Sequence, residues 1–474
     1  MLWNNENLRE ALNDELIFMD DNYNYEIDNV VFDSRRVNGK SLFIAKQGES
    51  SDGHYFIEDV LQNFPDATIL ANNGFSEKFY NNPRIILVKD TLIAMEKMAI
   101  YKRDNTKGKV IGITGSLGKT TTKELLNTCL ENYGKTHCNI MSFNNKIGVM
   151  TTLCNMKEDT DYAIIEMGMS AKGEMEELSE LVQPDITIIL NVVLAHSQFF
   201  KNEKDIALAK AEILDFQRIN GFTVINKNNK YFELFENSAK NHQIKVLTFS
   251  ETNNADVILK DYEKNNNLYI AKYQINNEIY EFKLSNKDYN IAINLMPILN
   301  ILHELKLDIS KIEHSVENFG TPRGRNNIEE VKFNDKNITI INGTYNAVNP
   351  LTFIRGLELI DKIVENKNIN RRIAIFGDIR EAGDNTNEFM LSLKEYIIKH
   401  QIDYFIGIGP MIKILCNSLD GKINVKHFDN VIEAIPFIKS MIENNDLLFI
   451  KSSKGIKTYK IINEITNNPM DIFE

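Results

Sequence analysis

The stretch Gly112-Ile113-Thr114-Gly115-Ser116-Leu117-Gly118-Lys119-Thr120-Thr121 decides how this chain is read. Apolar Val110-Ile111 precedes it and Lys123-Glu124-Leu125-Leu126 follows, which gives strand, glycine turn and helix. Glycines let backbone N–H groups close around phosphate oxygens, and the start of a helix adds partial positive charge. In that setting Lys119 reaches the outer phosphates and the Thr120 hydroxyl ligates Mg²⁺. Strict phosphate-loop spacing would put its first glycine at Ile113, so the match is a variant of the motif. The stretch predicts a site for ATP or GTP.

Bulk properties bound the rest. A chain of 474 residues suggests two to four domains. A hydrophobic content of 43% and a charged content of 25% are ordinary for a globular protein. The net charge of −12 argues against broad binding of nucleic acid or anionic membrane, while leaving room for a basic pocket. Cys129, Cys138, Cys154 and Cys416 lack metal-site spacing and read as buried free thiols of a reducing compartment. Met1-Leu2-Trp3-Asn4-Asn5-Glu6 does not resemble a secretory leader, and no apolar run matches a membrane span. The expected setting is cytoplasmic.

Around the phosphate loop the pattern alternates strand and helix, which predicts an α/β fold with mostly parallel sheets. A first segment, residues 1–104, mixes short strands and helices. A second, 105–320, opens on the loop. It continues through strand Ala163–Gly168, helix Gly173–Val182, strand Ile186–Val192 and helix Asp205–Phe216. Asp256–Leu284 reads as a small antiparallel excursion, and a helix from Asn290 to Leu305 carries Pro297, which should kink it. A third segment, 321–474, alternates again from strand Ile338–Asn342 to strand Leu447–Ile450.

Three polar residues follow strands or helices that feed the same cleft. Glu166 ends an apolar strand, where a carboxylate either holds Mg²⁺ over the phosphates or is simply solvated. His196 follows the next strand and fits a surface hydrogen bond as well as a ligand. Lys210, flanked by alanines, fits a snorkelling surface residue equally well.

In this order the residues resemble the Mur ligases, ATP-dependent amide-forming enzymes of peptidoglycan synthesis, and within that family the MurF branch. The family's TGxxGKTT loop matches Thr114–Thr121, making Thr114, Gly115, Ser116, Gly118, Lys119, Thr120 and Thr121 its nucleotide-binding set. Asn144-Asn145-Lys146-Ile147-Gly148, Glu166-Met167-Gly168 and the elements from Asn191 to Ile213 also match. Asp33-Ser34-Arg35 and Asp52-Gly53-His54 resemble the family's UDP-sugar-binding domain. The likeness implies three domains: 1–104 for the UDP-sugar substrate, 105–320 for ATP and 321–474 for the incoming amino component. It implies Thr120 and Glu166 at a first metal, and His196 with a carbamylated Lys210 at a second. Arg325 and Asn294 are implied as nucleotide contacts, and Lys119, His196, Lys210 and Arg325 as the catalytic set. Ser34, Arg35, Asn144, Asn145, Tyr345, Asn346 and Ala347 are implied as substrate contacts. The implied cofactors are ATP and Mg²⁺. The implied substrates are UDP-N-acetylmuramoyl-tripeptide and D-alanyl-D-alanine, joined through an acyl phosphate by a monomer that binds neither nucleic acid nor membrane.

The third segment departs from the family's pattern. Asn342-Gly343-Thr344-Tyr345-Asn346-Ala347-Val348-Asn349-Pro350 puts Gly343 where the family carries an acidic residue expected at the ribose, with Asn342 the nearest substitute. Two alternatives stay open: a Mur-type ligase with a different amino component, and a relative that binds nucleotide or UDP-sugar without ligating.

Overall fold

The computed structural model describes the chain apart from residues 49–50, 194–199, 201, 253, 266–267, 286–287, 346, 348–349, 380–385 and 467–474. Short runs of β-branched and aromatic residues build the strands, and among the described residues they pair into three sheets. The first holds β1 (Leu16–Phe18), β2 (Asn29–Val31), β3 (Ser41–Ile44), β4 (Thr68–Asn72) and β5 (Ile85–Val88) in the order β1-β5-β4-β3-β2. Only β1 runs antiparallel to its neighbour.

The second sheet is built on β6 (Lys109–Thr114), β7 (Thr136–Cys138), β8 (Tyr162–Glu166), β9 (Ile186–Ile189), β10 (Phe222–Asn226) and β11 (Lys245–Ser250), all parallel. β12 (Val257–Asn265), β13 (Leu268–Ile275) and β14 (Glu278–Leu284) follow. The order is β14-β13-β12-β11-β10-β9-β6-β8-β7. β6 therefore lies between β8 and β9, where the chain switches direction across the sheet. Ligands of open α/β sheets collect beyond the carboxyl ends of strands at such a point. The antiparallel excursion is not a separate unit: β12 pairs with β11 through Phe249↔Val257 and Ser250↔Ile258, and so lengthens the central sheet.

The third sheet runs β15 (Asn327–Phe333), β16 (Lys336–Gly343), β20 (Asp446–Lys451), β17 (Arg371–Gly377), β18 (Tyr404–Ile408) and β19 (Asn424–Phe428). It is parallel except for the β15 edge. β15 and β19 are absent from the sequence reading, because both are amphipathic edge strands half open to water.

Other differences have local causes. The strand expected over Ile186–Val192 stops at Ile189, since the Leu190 amide turns to the Thr114 carbonyl at 3.0 Å and the Asn191 carbonyl accepts the Ser116 amide at 2.9 Å. The helix expected to reach Phe216 is regular over Glu203–Ala211 and then tightens into a 3₁₀ turn, Glu212–Leu214. Tyr289–Glu304 continues as one helix past Pro297.

The first segment and the centre share one apolar core. Met95, Met98 and Ala99 of helix Thr91–Asn105 pack in the same cluster as Val149, Leu153 and Cys154 of helix Lys146–Cys154. Asn155 finishes the seam by bonding both the amide and the carbonyl of Val30 at 2.8 Å, which caps the open edge of β2. Trp3, fully buried, donates its indole N–H to the Cys154 carbonyl at 2.9 Å, and the Lys102 ammonium lies 4.5 Å from its ring centre. No described helix is long and apolar enough to cross a membrane.

Truncating Trp3 to Ala empties this seam and orphans the Cys154 carbonyl, so Trp3→Ala should cost about 3–5 kcal/mol. Urea unfolding followed by far-UV circular dichroism checks it. A midpoint equal to that of the unmutated chain would mean that the seam does not bear on stability.

Candidate active site

The loop after β6 is shaped by its neighbours. Asn191 holds it through the Leu117 amide (2.8 Å) and carbonyl (2.9 Å), and the Ser116 hydroxyl bonds the Val193 carbonyl at 3.1 Å. Gly118 caps the helix Lys119–Leu130 at φ +87°, a left-handed conformation that a side chain resists. The Lys119 ammonium curls back onto the Gly115 carbonyl at 2.6 Å. Burial holds it below the ordinary lysine range; Glu166 opposes the shift and Arg325 adds to it.

Thr114 is fully buried behind the loop, while Thr120 and Thr121 open the helix toward the cavity. Thr120 accepts a hydrogen bond from the Arg325 guanidinium at 2.8 Å across a separation of 205 residues. Arg325 in turn stacks on Tyr345, 4.7 Å from the ring centre. Asn294 abuts the loop: a Cβ at Gly118 would lie 3.2 Å from its Oδ1.

Glu166, 1% exposed at the end of β8, is not solvated. Its Oε1 accepts from Asn144 at 2.7 Å, and its Oε2 is buried with no partner among the described residues. A carboxylate oxygen left in this state suits a cation. Lys210 is equally unlike a surface lysine. It is 4% exposed, and among the described residues no hydrogen bond or ion pair engages its amine. Burial, with Lys119 adding to it, pushes that amine well below the ordinary lysine range. His196 and Asn346 lie outside the described residues, so two of the implied roles rest on the sequence alone. Among the described residues no cluster of three or more His, Cys, Asp or Glu forms a ready-made metal cage.

Two cavities meet over the loop. One, lined by Gly118, Thr120, Thr121, Glu166, Asn294 and Arg325, gathers residues that the resemblance implies at the nucleotide and first metal. The other, about 920 Å³, reaches from Phe32, Asp33, Arg36 and Lys46 of the first segment to Lys210 and Tyr345. Ser116, Lys119, Ser142 and Asn144 line both.

The implied substrate residues divide. Asn144 lines both cavities, whereas Asn145 lines the larger one while capping a helix through the Gly148 amide at 3.0 Å. Tyr345 lines it too, its hydroxyl accepting from Ser142 at 2.7 Å. Ala347 packs in the core beside the third sheet, with its carbonyl bound by Ser453 at 2.8 Å. Ser34 and Arg35 are not among the residues that line either cavity. Asp33 caps their 3₁₀ turn, and the Arg35 guanidinium folds back on the Asp33 carboxylate at 2.8 Å. Asp33 and Arg36 line the cavity instead. Sequence reasoning also passed over Phe32, Lys46 and Phe143, which line it, while Lys454 lines it from the element Lys451–Gly455 that resembles the family's late Lys-Gly-Ser.

Gly343 has a packing reason. A Cβ there would lie 2.5 Å from Asn326 Oδ1 and 3.2 Å from Lys451 Cδ. Asn342, weighed as a substitute for the missing acid, cannot reach a ligand. It is fully buried, donates to Glu329 at 2.9 Å and accepts from the Thr344 hydroxyl at 2.8 Å. Lys451, beside Gly343, bonds Asn326 at 3.3 Å; burial, then Arg325, pushes it down to about 7.

Residues 113–302 match the Mur ligase middle domain. The UDP-N-acetylmuramoyl-tripeptide–D-alanyl-D-alanine ligase of Rickettsia prowazekii (strain Madrid E) is 32% identical over 464 residues, covering 98% of this chain and 99% of that one. The ligase of the same name from Bacillus subtilis (strain 168) is 26% identical over 453 residues, 94% of each. Among solved structures, MurF from Acinetobacter baumannii aligns with TM-score 0.79 at 23% identity over 98% of this chain and 99% of its own. MurF from Thermotoga maritima, in complex with ADP, aligns with TM-score 0.73 at 25% identity over 92% and 96%. The phosphate loop, the buried strand-end carboxylate and the buried lysine thus stand in a chain that belongs to the Mur ligase family, in its MurF branch.

Proposed function

We propose that this chain joins D-alanyl-D-alanine to UDP-N-acetylmuramoyl-tripeptide with cleavage of ATP to ADP and inorganic phosphate. The observation that carries the reading is the sharing of Ser116, Lys119, Ser142 and Asn144 by the two cavities. A carboxylate held in the larger cavity and a phosphate held on the loop then meet over one ammonium. The tripeptide carboxylate takes the terminal phosphoryl group and ADP leaves. The dipeptide amine then attacks the acyl carbon, loses its proton and displaces inorganic phosphate.

Lys119 offsets the charge that accumulates between the two oxygens during transfer, the step at which phosphoryl-transfer catalysts gain most. Arg325 reaches from the third sheet's side to Thr120, so approach of that side completes the nucleotide cavity and excludes water from the acyl phosphate. Thr120 and the partnerless Oε2 of Glu166 fit a magnesium ion, which when bound neutralises phosphate charge. The depressed Lys210 amine, unpaired among the described residues, fits carbamylation, because the neutral amine is the form that adds CO₂ and the product is anionic. Tyr345, which lines the larger cavity, and its sequence neighbour Asn346 receive the dipeptide. A cytoplasmic monomer is the setting that goes with these substrates, and the four cysteines, all free thiols, agree with a reducing one.

Phosphate release should require MgATP, the UDP-tripeptide and D-alanyl-D-alanine together, with a product heavier by one dipeptide in mass spectrometry. Release with a single amino acid in place of the dipeptide would replace this reading by that of a ligase with another amino component.

Lys119→Ala should lower kcat by about 10²–10³-fold or more while the chain stays folded, the loss typical of removing one charge-stabilising donor. Turnover within tenfold of the unmutated enzyme would remove Lys119 from the transfer step.

Nucleotide binding should take up protons at pH 8. Lys451 titrates near 7 when the cavity is free of anions, and an entering polyphosphate raises it toward the ordinary lysine range. The group is then mostly neutral before binding and charged after it. Calorimetry of a nonhydrolysable ATP analogue in buffers of different ionisation enthalpy measures the uptake, and Lys451→Met should reduce it. Equal heats in all buffers would contradict the assignment.

A further inference from the structure

A buried cation next to the site has no part in the chemistry above. Lys123, on the second turn of the helix that begins at the phosphate loop, is fully buried. Its ammonium donates to the Asn139 carbonyl at 2.5 Å and the Met141 carbonyl at 2.6 Å, with Glu124 Oε1 at 2.8 Å beside it. Met141 takes a left-handed conformation at φ +53°, uncommon for a residue with a side chain. The two carbonyls that Lys123 binds thus define the path of residues 139–145.

That short loop touches every wall of the site. Asn139 brackets the Glu166 peptide, accepting from its amide at 2.6 Å and donating to its carbonyl at 3.2 Å. Ser142 reaches Tyr345 from the third sheet's side. Phe143 meets Phe32 of the first segment at 6.0 Å between ring centres, with the Arg36 guanidinium 5.6 Å from its own. Asn144 holds Glu166 Oε1, and its carbonyl accepts the Gly168 amide at 2.9 Å. Ser142 and Asn144 are two of the four residues common to both cavities.

We infer that Lys123 is the positioning residue that ties loop 139–145 to the phosphate-loop helix, and so sets the UDP-substrate cavity in register with the nucleotide cavity. The inference rests on the ligase reading above for the identity of the substrate. A buried ammonium between two carbonyls is a directional clamp: with the cation gone, both acceptors lose their partner, the Asn139 carbonyl in a fully buried place. The phosphate loop is held separately, by Asn191 and Val193, and does not need the clamp.

Lys123→Met in the full chain tests this. The nonhydrolysable ATP analogue should bind within about threefold of the unmutated protein by calorimetry. The KM for UDP-N-acetylmuramoyl-tripeptide should rise at least tenfold, and kcat should fall. Hydrogen exchange at the Asn144 and Gly168 amides should speed up. Glu124→Gln, which leaves both carbonyl bonds in place, should keep KM and kcat within about threefold. If Lys123→Met does not fold, Lys123→Gln, which offers one carbonyl a donor, should show the same split to a smaller degree. A folded variant with a lower melting temperature and unchanged KM and kcat would overturn the inference, leaving Lys123 a stability residue. Equal loss of nucleotide affinity would overturn it too, by placing the effect in the phosphate loop. Absence of dipeptide-dependent turnover in the unmutated protein would count against the ligase reading instead. Binding of the UDP-substrate to both proteins then decides the Lys123 question by itself.

Discussion

Positive charge withdrawn from water around the end of one strand is the constraint on which this structure turns. Lys119, Lys210 and Lys451 are all held below the ordinary lysine range, in each case first by burial. Lys123 is buried as well and satisfied by two carbonyls. Burying ammonium groups is unfavourable unless an anion or a dipole answers them. Among the described residues, Glu166 is the one carboxylate that combines deep burial with an unpartnered oxygen. The site is therefore built short of negative charge, and a polyphosphate with its cation supplies what is missing. The fold serves that arrangement. β6, β8 and β9 run parallel so that their carboxyl ends open on one side, and the helix after β6 points its N-terminus at the same place.

Joining two substrates requires more than a nucleotide cradle, and the second requirement is met by contacts between segments far apart in sequence. The Arg325 bond to Thr120 spans 205 residues and the Ser142 bond to Tyr345 spans 203. Phe143 against Phe32 closes the other flank. These three contacts converge on the loops that line both cavities, so the acceptor cavity takes its shape only when all three sheets are in place. A reactive acyl phosphate formed there is walled by protein on each side from which the chain approaches.

Much of this was legible in the residues. The run from Val110 to Leu126 announces strand, loop and helix because its chemistry is local: glycines, a lysine and a threonine at fixed offsets. Apolar strands such as Ile373–Phe376 and Leu447–Ile450 are equally plain, since burial on both faces leaves no polar alternation. What stayed hidden depends on distance. Nothing near Lys123 in sequence says that its ammonium will find the carbonyls of Asn139 and Met141. The alanines around Lys210 suggest an exposed helix face, yet the chain packs over it. Arg35 sits inside a recognisable motif, but the Asp33 side chain bends the turn so that Arg36 lines the cavity. Edge strands β15 and β19 alternate with water on one side and so resemble loops.

Gly343 shows how a departure from a family pattern can be absorbed rather than suffered. The space a side chain would need is taken by Asn326 Oδ1 and the Lys451 stem, so the glycine permits a close approach of three segments, those around 326, 343 and 451. An acid at this position would have stood beside the Lys451 side chain and raised its affinity for protons. Without one, the amine stays near the neutral–charged boundary, bonded to Asn326 and repelled by Arg325. With no acid at position 343, the Lys451 side chain gains its charge when an anion enters rather than holding it beforehand.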